Sequence, residues 1–405
     1  MMMAGRSLVL WAALLAGAGQ AKTIQVAPGP GAAEAVQTAL IEAAPGDTVL
    51  LAAGRYAFTD GLSLDVKDVT LAGVGEGKTI LSFKGQKSAA EGLLITADGS
   101  VVRDLTIHDA KGDGIKWKGV NGVHVHDVTV EWPDGPKATN GGYGVYPVAS
   151  RNILIERVTV RGASDAGIYV GQSRDIIVQD NIAEYNVAGI EIENSMFADV
   201  AHNVVRKNAG GILVFDLPNL PQMGGHSTRV FGNRISDNDT PNFAAPGNVV
   251  AEVPTGTGVM VMANRNVHVF DNEISGNGSA AVMIVAYKKP FDSAGYNPLP
   301  RDVVVRGNRL RRNGFAPAFP GGAELAKAVG GTLPPLLWDG AQTYLVDGKP
   351  VTEVVRIGSD VPALTLNLPS ATADMAAARP APVQLRAAGL PPEPAPVAVE
   401  LRATR

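Results

Sequence analysis

Short apolar runs recur along the chain, and each begins with a glycine followed by an aliphatic residue. Apolar and polar positions alternate within the runs, which is the pattern of a short β-strand with one buried face. Between Gly144 and Gly211 the successive glycines stand 23, 22 and 22 residues apart, and longer intervals carry insertions such as 132–142 and 239–254. The pairs are Gly114-Ile115, Gly144-Val145, Gly167-Ile168, Gly189-Ile190, Gly211-Ile212 and Gly258-Val259.

Two series of asparagines repeat in step with these runs. Each asparagine of the first series is followed five residues later by one of the second, and the successive intervals in both series are 22, 30, 39 and 36 residues. The identical intervals indicate one repeated unit with insertions of varying length. The first series is Asn181, Asn203, Asn233, Asn272 and Asn308, and the second is Asn186, Asn208, Asn238, Asn277 and Asn313.

A period near 22 residues with several short strands per unit predicts an all-β fold, the parallel β-helix. Each coil of this solenoid stacks on the next at about 4.8 Å. We expect about ten coils, with aliphatic side chains inside and asparagine ladders at the turns. Residues 32–43 have the spacing of a short helix that caps the open end of the first coil.

The N-terminal residues predict export. A single Arg6 precedes an apolar stretch and then small residues, which is the layout of a secretory signal peptide ending at Ala21. The apolar stretch is shorter than the roughly 20 residues of a membrane anchor. The expected organisation is a signal peptide at 1–21, the β-helix with its cap at 22–317, and an irregular C-terminal extension with a Pro/Ala-rich tail at 318–405. The mature protein would be periplasmic or secreted, with no membrane span.

Composition narrows the possible partners. The formal net charge is −4 and no long basic cluster occurs, so nucleic acid is an unsuitable partner. The chain has no cysteine, which excludes disulfide bonds.

Several stretches closely resemble a family of exported bacterial parallel β-helix repeat proteins of undetermined function. The resemblance covers residues 25–345 and implies export and a right-handed β-helix. The coil pattern is more distantly similar to carbohydrate-binding and sugar-hydrolysis repeats in polysaccharide lyases of the pectate-lyase type, mannuronan C5-epimerases and a periplasmic copper-maturation protein. The Asp-Pro-His-Asp motif of the epimerases is replaced here by Tyr146-Pro147-Val148-Ala149. The stretches that carry the match are GGYGVYPVAS, GASDAGIYVGQSRDIIVQDN, NVAGIEIENS, GGILVFDLPNLPQ and GTGVMVMANRNV.

Strand alternation predicts which residues of the stacked coils point outward. The second position after each glycine forms one outward column, and the fourth position forms another. Asp165 and Tyr143 stand in the turns just before these strands. The first column is Lys116, Tyr146, Tyr169, Glu191, Leu213 and Met260, and the second is Lys118, Val148, Gly171, Glu193, Phe215 and Met262. With insertions as walls, this face predicts an open groove that binds an extended, acidic polysaccharide.

Two chemistries fit this face. A lyase or epimerase needs a base, for which Lys116 and Tyr169 are candidates, and Asp165, Glu191 and Glu193 would hold a calcium ion. Hydrolysis instead needs two carboxylates, such as Glu191 with Glu193 or Asp165 with Glu191. The candidate catalytic residues are Lys116, Tyr169, Asp165 and Glu191, and the candidate substrate-binding residues are Lys118, Tyr143, Tyr146, Glu193, Phe215, Asp216 and His226.

Each candidate also has a purely structural interpretation. Outward lysines and glutamates serve solubility, Asp165 can cap a turn, and the tyrosines can form an ordinary aromatic stack. The alternative function is therefore a non-catalytic periplasmic binding or assembly protein that acts with another exported protein.

Overall fold

The computed structural model describes residues 21–293, 295–386 and 389–402. Its architecture is the expected parallel β-helix, and it makes about 13 turns, slightly more than the ten expected. Two large sheets of 19 and 12 strands form its walls. Most turns contribute up to two strands to the first sheet and one strand to the second.

The strands of the first sheet come from nearly every coil. They are β1 (Thr23–Val26), β2 (Thr48–Leu51), β3 (Gly54–Ala57), β5 (Thr70–Ala72), β6 (Thr79–Ser82), β8 (Ser100–His108), β10 (Asn121–Glu131), β12 (Arg151–Arg161), β14 (Arg174–Gln179), β15 (Ile182–Glu184), β17 (Met196–Ala201), β18 (Val204–Arg206), β20 (His226–Phe231), β21 (Arg234–Ser236), β23 (Arg265–Phe270), β24 (Glu273–Ser275), β26 (Arg301–Arg306), β27 (Arg309–Arg311) and β31 (Ile357–Ser359).

The second sheet carries the predicted outward columns, and its strands are parallel except for the last one. They are β4 (Leu62–Leu64), β7 (Leu93–Ile95), β9 (Ile115–Lys118), β11 (Tyr143–Val148), β13 (Ala166–Gly171), β16 (Ala188–Glu193), β19 (Gly210–Phe215), β22 (Thr257–Met262), β25 (Ala280–Val285), β28 (Leu336–Trp338), β32 (Ala363–Thr365) and β33 (Ala381–Val383). The remaining elements are the hairpin β29 (Thr343–Val346) and β30 (Lys349–Thr352), the helices α1 (Ala32–Glu42) and α2 (Gly322–Ala328), and the 3₁₀ helices Val249–Glu252 and Met375–Ala377.

The interior of the solenoid is filled by the inward residue of each strand. In β13 these residues are Ile168 and Val170, and in β16 they are Ile190 and Ile192, all of which are fully buried. The β-branched side chains stack on their counterparts in neighbouring coils, which is favourable packing for a parallel sheet buried on its inner face.

Helix α1 closes the N-terminal end of the solenoid, as the sequence predicts. It spans Ala32–Glu42 and buries Val36, Ala39 and Leu40 against the first strands. These residues lie on one face of the helix because side chains three and four positions apart are neighbours. The helix therefore covers the apolar end of the core, which would otherwise contact solvent.

The two asparagine series form the predicted ladders. The side-chain amide of Asn203, for example, donates to the Oδ1 atom of Asn233 at 2.9 Å, and the Asn203 backbone N–H donates to the same oxygen at 2.9 Å. Asn233 repeats both contacts with Asn272. Because these side chains are buried, the ladder satisfies polar groups that water does not reach.

The coils continue beyond the expected boundary at residue 317. Strand β28 pairs with β25, and β32 pairs with β28, so both extend the second sheet. Strand β31 likewise extends the first sheet by pairing with β26. Helix α2 and the hairpin are insertions between these late strands, which explains why the 22-residue period is lost there.

The end of the described chain lies along the outer side of the first sheet. Glu393 forms ion pairs with Arg229 and Arg306. Further along, the Val397 backbone N–H donates to Asp199, and Arg402 reaches the Asp68 carbonyl near the N-terminal coils. These contacts hold the proline-rich segment by side-chain interactions without a paired strand.

The predicted signal peptide at 1–21 lies outside the described residues except for Ala21. Within the described ranges, no helix has both the length and the apolar character needed to cross a membrane.

The ladder predicts a specific loss of stability. Asn233→Ala removes the acceptor for Asn203 and the donor to Asn272, and we expect the free energy of unfolding to fall by about 2–3 kcal/mol. Denaturant unfolding followed by circular dichroism measures this change. Asn121→Ala, which removes one hydrogen bond near the surface, should cost less than about 1 kcal/mol. Equal losses in the two variants would contradict the buried ladder as a source of stability.

Candidate functional site

The predicted outward columns are stacked in register on the second sheet. Tyr169 pairs with Glu191, Glu191 with Leu213, and Leu213 with Met260. Neighbouring coils thus place polar residues at one end of the face and apolar residues at the other. The polar end, together with the turns before its strands, is called the carboxyl–tyrosine cluster: Asp165, Glu191, Glu193, Tyr143, Tyr146 and Tyr169.

This face is more covered than the sequence predicts. Tyr169 is 5% exposed, Glu191 1% and Glu193 8%. The insertion 239–254 lies over the face instead of standing beside it as a wall, and the Asn248 side chain donates to Asp165 Oδ2 at 3.1 Å. The cover forms because the insertion carries apolar residues that pack on the apolar end of the same sheet. Glu193 is therefore buried, and its interpretation as an outward glutamate that serves only solubility is wrong.

Tyr169 and the two glutamates are neighbours on the outer face of the second sheet. The Tyr169 hydroxyl donates to Glu193 Oε1 at 2.6 Å. Glu191 stands two positions before Glu193 on the same strand, and its Oε2 atom is buried without a hydrogen-bond partner among the described residues. Burial and the neighbouring carboxyls of Glu193 and Asp165 raise the pKa of Glu191 well above its usual range, which favours the protonated form.

Glu193 and Asp165 titrate near neutral pH. Burial raises the pKa of Glu193 to about 7, although the Tyr169 hydrogen bond lowers it. Burial also raises the pKa of Asp165 to about 7, and repulsion from Asp113 adds to this, while Tyr143 and Asn248 act in the opposite direction. Two carboxyl groups that gain or lose protons around pH 7 are suited to acid–base chemistry.

Three tyrosine rings join Asp165 to the glutamates. The Tyr143 ring centroid lies 4.5 Å from that of Tyr169 and 4.6 Å from that of Tyr146, and Tyr146 meets Tyr169 edge-on at 4.9 Å. Burial raises the pKa of all three hydroxyls, so they stay protonated. Tyr143 and Tyr146 are half-buried and give the cluster its contact with solvent.

Gly171 makes room for the Tyr169 ring. A Cβ atom at Gly171 would overlap the edge and the hydroxyl of Tyr169. Because Gly171 pairs with Glu193 in the next coil, the ring lies over the glycine and its hydroxyl reaches the glutamate. The glycine is therefore required by the close approach of a side chain rather than by a turn.

Lys116 belongs to a separate ion-pair group at the edge of the cluster. Its Nζ atom lies 3.1 Å from both Glu91 and Asp113 and 4.6 Å from the centre of the Tyr146 ring. Burial alone would lower the pKa of Lys116, but Asp113 and Glu91 outweigh burial and raise it. A proton-abstracting base needs a neutral amine, so the structure does not favour Lys116 in that role. The protonated Tyr169 hydroxyl is equally unsuited to it.

Four of the predicted binding residues lie outside the cluster. Lys118 is exposed at the end of its strand. Phe215 is fully buried and stacks on Glu193, where it belongs to the apolar end of the face. Asp216 accepts hydrogen bonds from the backbone N–H groups of Gly224 and Gly225 and thus fixes a loop.

His226 is on a different side of the molecule. It begins β20 in the first sheet and packs edge-on against Phe197, with ring centroids 5.0 Å apart. Burial and nearby arginines lower its pKa. The structure therefore separates His226 from the cluster.

Sequence reasoning missed two residues of the site. Glu91 holds Lys116 together with Asp113, and Asn248 binds Asp165 from 83 residues away in the sequence. The repeat does indicate Asp113, since its position before β9 corresponds to that of Asp165 before β13. No pattern in the sequence identified Asn248, because it comes from an insertion outside the repeat.

The predicted pairs of carboxylates for hydrolysis, Glu191 with Glu193 and Asp165 with Glu191, stay hypotheses. Glu191 is 1% exposed and is therefore the least accessible of the three, whereas Asp165 is 9% and Glu193 8% exposed. Asp165 with Glu193 is a further candidate pair, which the sequence did not indicate.

The predicted calcium site is not apparent in this arrangement. In the part of the chain that the structure describes, no group of three or more acidic or histidine side chains is placed to hold a metal ion. Calcium binding by Asp165, Glu191 and Glu193 therefore stays a hypothesis.

The fold and a family comparison define the class of this protein. The model of the right-handed β-helix region matches residues 72–219, and the coils of the structure extend on both sides of that stretch. The chain is thus a right-handed parallel β-helix protein, which confirms the expected resemblance at the level of the fold. No curated protein matches the sequence.

Several solved structures are similar to this chain, at low sequence identity and with TM-scores below 0.5. The A-module of mannuronan C-5 epimerase AlgE4 of Azotobacter vinelandii is 17% identical, with 84% of this chain and 92% of that chain covered and a TM-score of 0.47. An alginate lyase from Paenibacillus sp. str. FPU-7 is 16% identical, with coverage of 72% and 98% and a TM-score of 0.36. DFA-IIIase from Arthrobacter chlorophenolicus A6 is 12% identical, with coverage of 82% and 87% and a TM-score of 0.42.

The buried carboxyls predict that stability falls as the pH rises from 5 to 8. A carboxyl whose pKa is higher in the folded than in the unfolded chain stabilises the fold at low pH, and this contribution is lost as the pH rises through the folded value of about 7. We expect a loss of the order of 2–3 kcal/mol for each of Asp165 and Glu193.

Denaturant unfolding at several pH values measures this dependence. The double variant Asp165→Asn with Glu193→Gln should make the curve less steep, with buried Glu191 keeping part of the slope. Glu273→Gln, which changes an exposed carboxylate of the first sheet, should leave the curve unchanged. An equally steep curve in the double variant would contradict the assignment.

The Tyr169 hydrogen bond predicts a change in the titration of Glu193. Tyr169→Phe removes a donor that favours the ionised carboxylate, so the pKa of Glu193 should rise above 7 by about one pH unit. Gly171→Ala should act in the same direction by displacing the ring. Infrared titration of the carboxyl C=O band, assigned with Glu193→Gln, measures the value, and Tyr185→Phe at an exposed tyrosine is the control. An unchanged titration in both test variants would show that the hydroxyl does not support Glu193.

Proposed function

We propose that this protein is an exported carbohydrate-active β-helix protein that binds a saccharide on Tyr143 and Tyr146 and hydrolyses a glycosidic bond there. The supporting observation is that Asp165 and Glu193, whose pKa values burial raises to about 7, lie in one cluster with the half-buried rings of Tyr143 and Tyr146. Aromatic rings bind the apolar faces of sugars, and carboxyls bind sugar hydroxyls. The export part of the proposal rests on the sequence of the N-terminal 21 residues.

The hydrogen bonds favour different roles for the two carboxyls. Glu193 accepts from the Tyr169 hydroxyl at 2.6 Å, whereas Asp165 accepts from the Asn248 amide at 3.1 Å. Neighbouring carboxyls repel the charge on both groups, since Asp165 and Asp216 act on Glu193 and Asp113 acts on Asp165. The shorter hydrogen bond favours the ionised form of Glu193 over that of Asp165. Asp165 would therefore protonate the leaving oxygen while Glu193 removes a proton from the attacking water, so that water is added across the broken bond.

Proton abstraction from a uronic acid is less well supported. Lys116 is a paired ammonium, and the tyrosines hold their protons, so neither supplies the base that elimination or epimerisation needs. The charges around the site also favour a neutral saccharide over an acidic one. Lys116 is already balanced by Glu91 and Asp113, and the remaining ionisable groups of the cluster are carboxyls that would repel a uronate.

The test is a saccharide panel of neutral and uronic-acid polymers, assayed for new reducing ends and for unsaturated uronate products. We expect reducing ends from a neutral polymer, with a rate maximum near pH 7. Asp165→Asn and Glu193→Gln should each lower kcat by about 100-fold or more, because each removes one partner of acid–base catalysis. Glu273→Gln is the matched control at an exposed carboxylate.

The same assay separates the alternatives. Unsaturated products would overturn hydrolysis in favour of a lyase. Saccharide binding without turnover on any polymer would favour the non-catalytic binding or assembly protein. Parallel reactions with calcium and with a chelator test the calcium hypothesis, since a calcium-dependent enzyme loses activity only with the chelator.

A further inference from the structure

The proline-rich residues 389–402, called the C-terminal segment, lie on the outer face of the first sheet. Glu393 of this segment forms ion pairs with Arg229 of β20 and Arg306 of β26. Strand β23 pairs with both of these strands and lies between them. The Glu393 carboxylate therefore bridges two coils and lies over a third.

The segment follows the axis of the solenoid toward the first coils. The Val397 N–H donates to Asp199 of β17 at 3.1 Å, and the Glu400 N–H donates to Asn152 of β12 at 3.2 Å. Proline has no N–H group, so the segment does not pair along its length as a further strand. The contacts come instead from single groups spaced along an extended chain. Its prolines are Pro391, Pro392, Pro394 and Pro396.

Three polar side chains beneath the segment have atoms without hydrogen-bond partners in the described part of the chain. His268 of β23 points outward between Arg229 and Val304 of neighbouring coils, yet it is only 3% exposed. Burial lowers its pKa, so the neutral ring has one donor and one acceptor, and both are unpaired. Asp199 Oδ1 and Arg229 Nε are also buried without a hydrogen bond. The segment thus excludes water from these groups and does not replace its hydrogen bonds.

The surface beneath the segment presents two positioned guanidinium groups. Arg229 lies 4.6 Å from the centre of the Phe231 ring, and Arg306 lies 4.4 Å from the centre of the Phe270 ring. The two rings are stacked 5.1 Å apart, so these cation–π contacts hold the arginines without help from the segment. Apart from Glu393, the one carboxylate within 4.0 Å of either arginine among the described residues is that of Asp199, so two positive charges face one negative charge. The surface is called the docking strip: Asp199, Arg229, Phe231, His268, Phe270 and Arg306.

We propose that the docking strip binds an extended, acidic peptide of a partner protein, which displaces the C-terminal segment. The segment is itself an example of the chemistry that the strip accepts, an extended proline-containing chain with a carboxylate on Arg229 and Arg306. A peptide whose side chains also pair with His268 gains hydrogen bonds that the segment does not make. The same segment from a second copy would only repeat the present contacts, so it has no advantage in free energy over the tethered one. This site is independent of the saccharide proposed for the cluster.

A fluorophore on the segment reports whether the segment is docked. The chain has no cysteine, so Ala398→Cys at an exposed position takes a single label on the full protein. Glu393→Lys turns attraction to the two arginines into repulsion, and the fluorescence anisotropy of the label should fall toward that of the unfolded protein. Glu400→Lys is the matched control, because Glu400 is exposed and forms no ion pair among the described residues. Circular dichroism should stay unchanged in both variants.

A fluorescein-labelled peptide with the sequence of residues 389–402 is the probe for the partner. It should bind the Glu393→Lys protein at least about tenfold more tightly than the wild type, in which the tethered segment competes at high effective concentration. The Glu393→Lys form of the peptide is the negative control. In the Glu393→Lys protein, His268→Leu should tighten peptide binding by about fivefold or more, because it removes the unpaired nitrogens.

Unchanged anisotropy in a folded Glu393→Lys protein would overturn the proposal, and so would a peptide that fails to bind this protein. Equal peptide affinity before and after His268→Leu would remove the reason for a partner to displace the segment. A polysaccharide that binds the Glu393→Lys protein when the peptide does not would assign the strip to a saccharide instead. Wild-type dimers that Glu393→Lys dissociates would replace the partner protein by the segment of a second copy.

Discussion

In-register stacking of parallel coils is the constraint on which the rest of the structure depends. Every coil must place its strands at hydrogen-bonding distance from the coil before it, so an inward residue always lies on an inward residue. The asparagine ladders extend the same rule to the turns, because each amide satisfies the buried groups of its neighbour. Insertions lie between the strands and not within them. The number of residues per coil therefore varies, while the pairing register of the strands stays the same.

The same register turns single outward residues into continuous columns. Glu191 is followed by Leu213 and Met260, and Glu193 by Phe215 and Met262, so the face changes from polar to apolar within two coils. The apolar end attracts the insertion 239–254 as a cover, and that cover extends over Asp165 through Asn248. The burial that raises the carboxyl pKa values is thus a consequence of the apolar packing next to them.

The parts of the structure that follow from the repeat were predictable, and the parts that come from insertions were not. Glycine and asparagine spacing predicted the coils, the ladders and the stacking of Tyr169 on Glu191. Burial of Glu191 could not be predicted, because strand alternation says only that a side chain points outward and not what covers it. Likewise, His226 was assigned to the site because it follows Phe215 and Asp216 in the sequence. In the structure it is the first residue of β20, which belongs to the first sheet.

The insertion that covers the cluster also affects how substrate binding would change the pKa values of Asp165 and Glu193. Asp165 and Glu193 are already largely buried, and Tyr143 and Tyr146 provide the remaining contact with solvent. A saccharide on these rings removes more water, which disfavours the charged form of any nearby carboxyl. Asp165 accepts the longer hydrogen bond, from Asn248, and should gain more proton occupancy, whereas Glu193 keeps the shorter one from Tyr169. Substrate binding would then move the two pKa values apart, so that one carboxyl serves as acid and the other as base at the same pH.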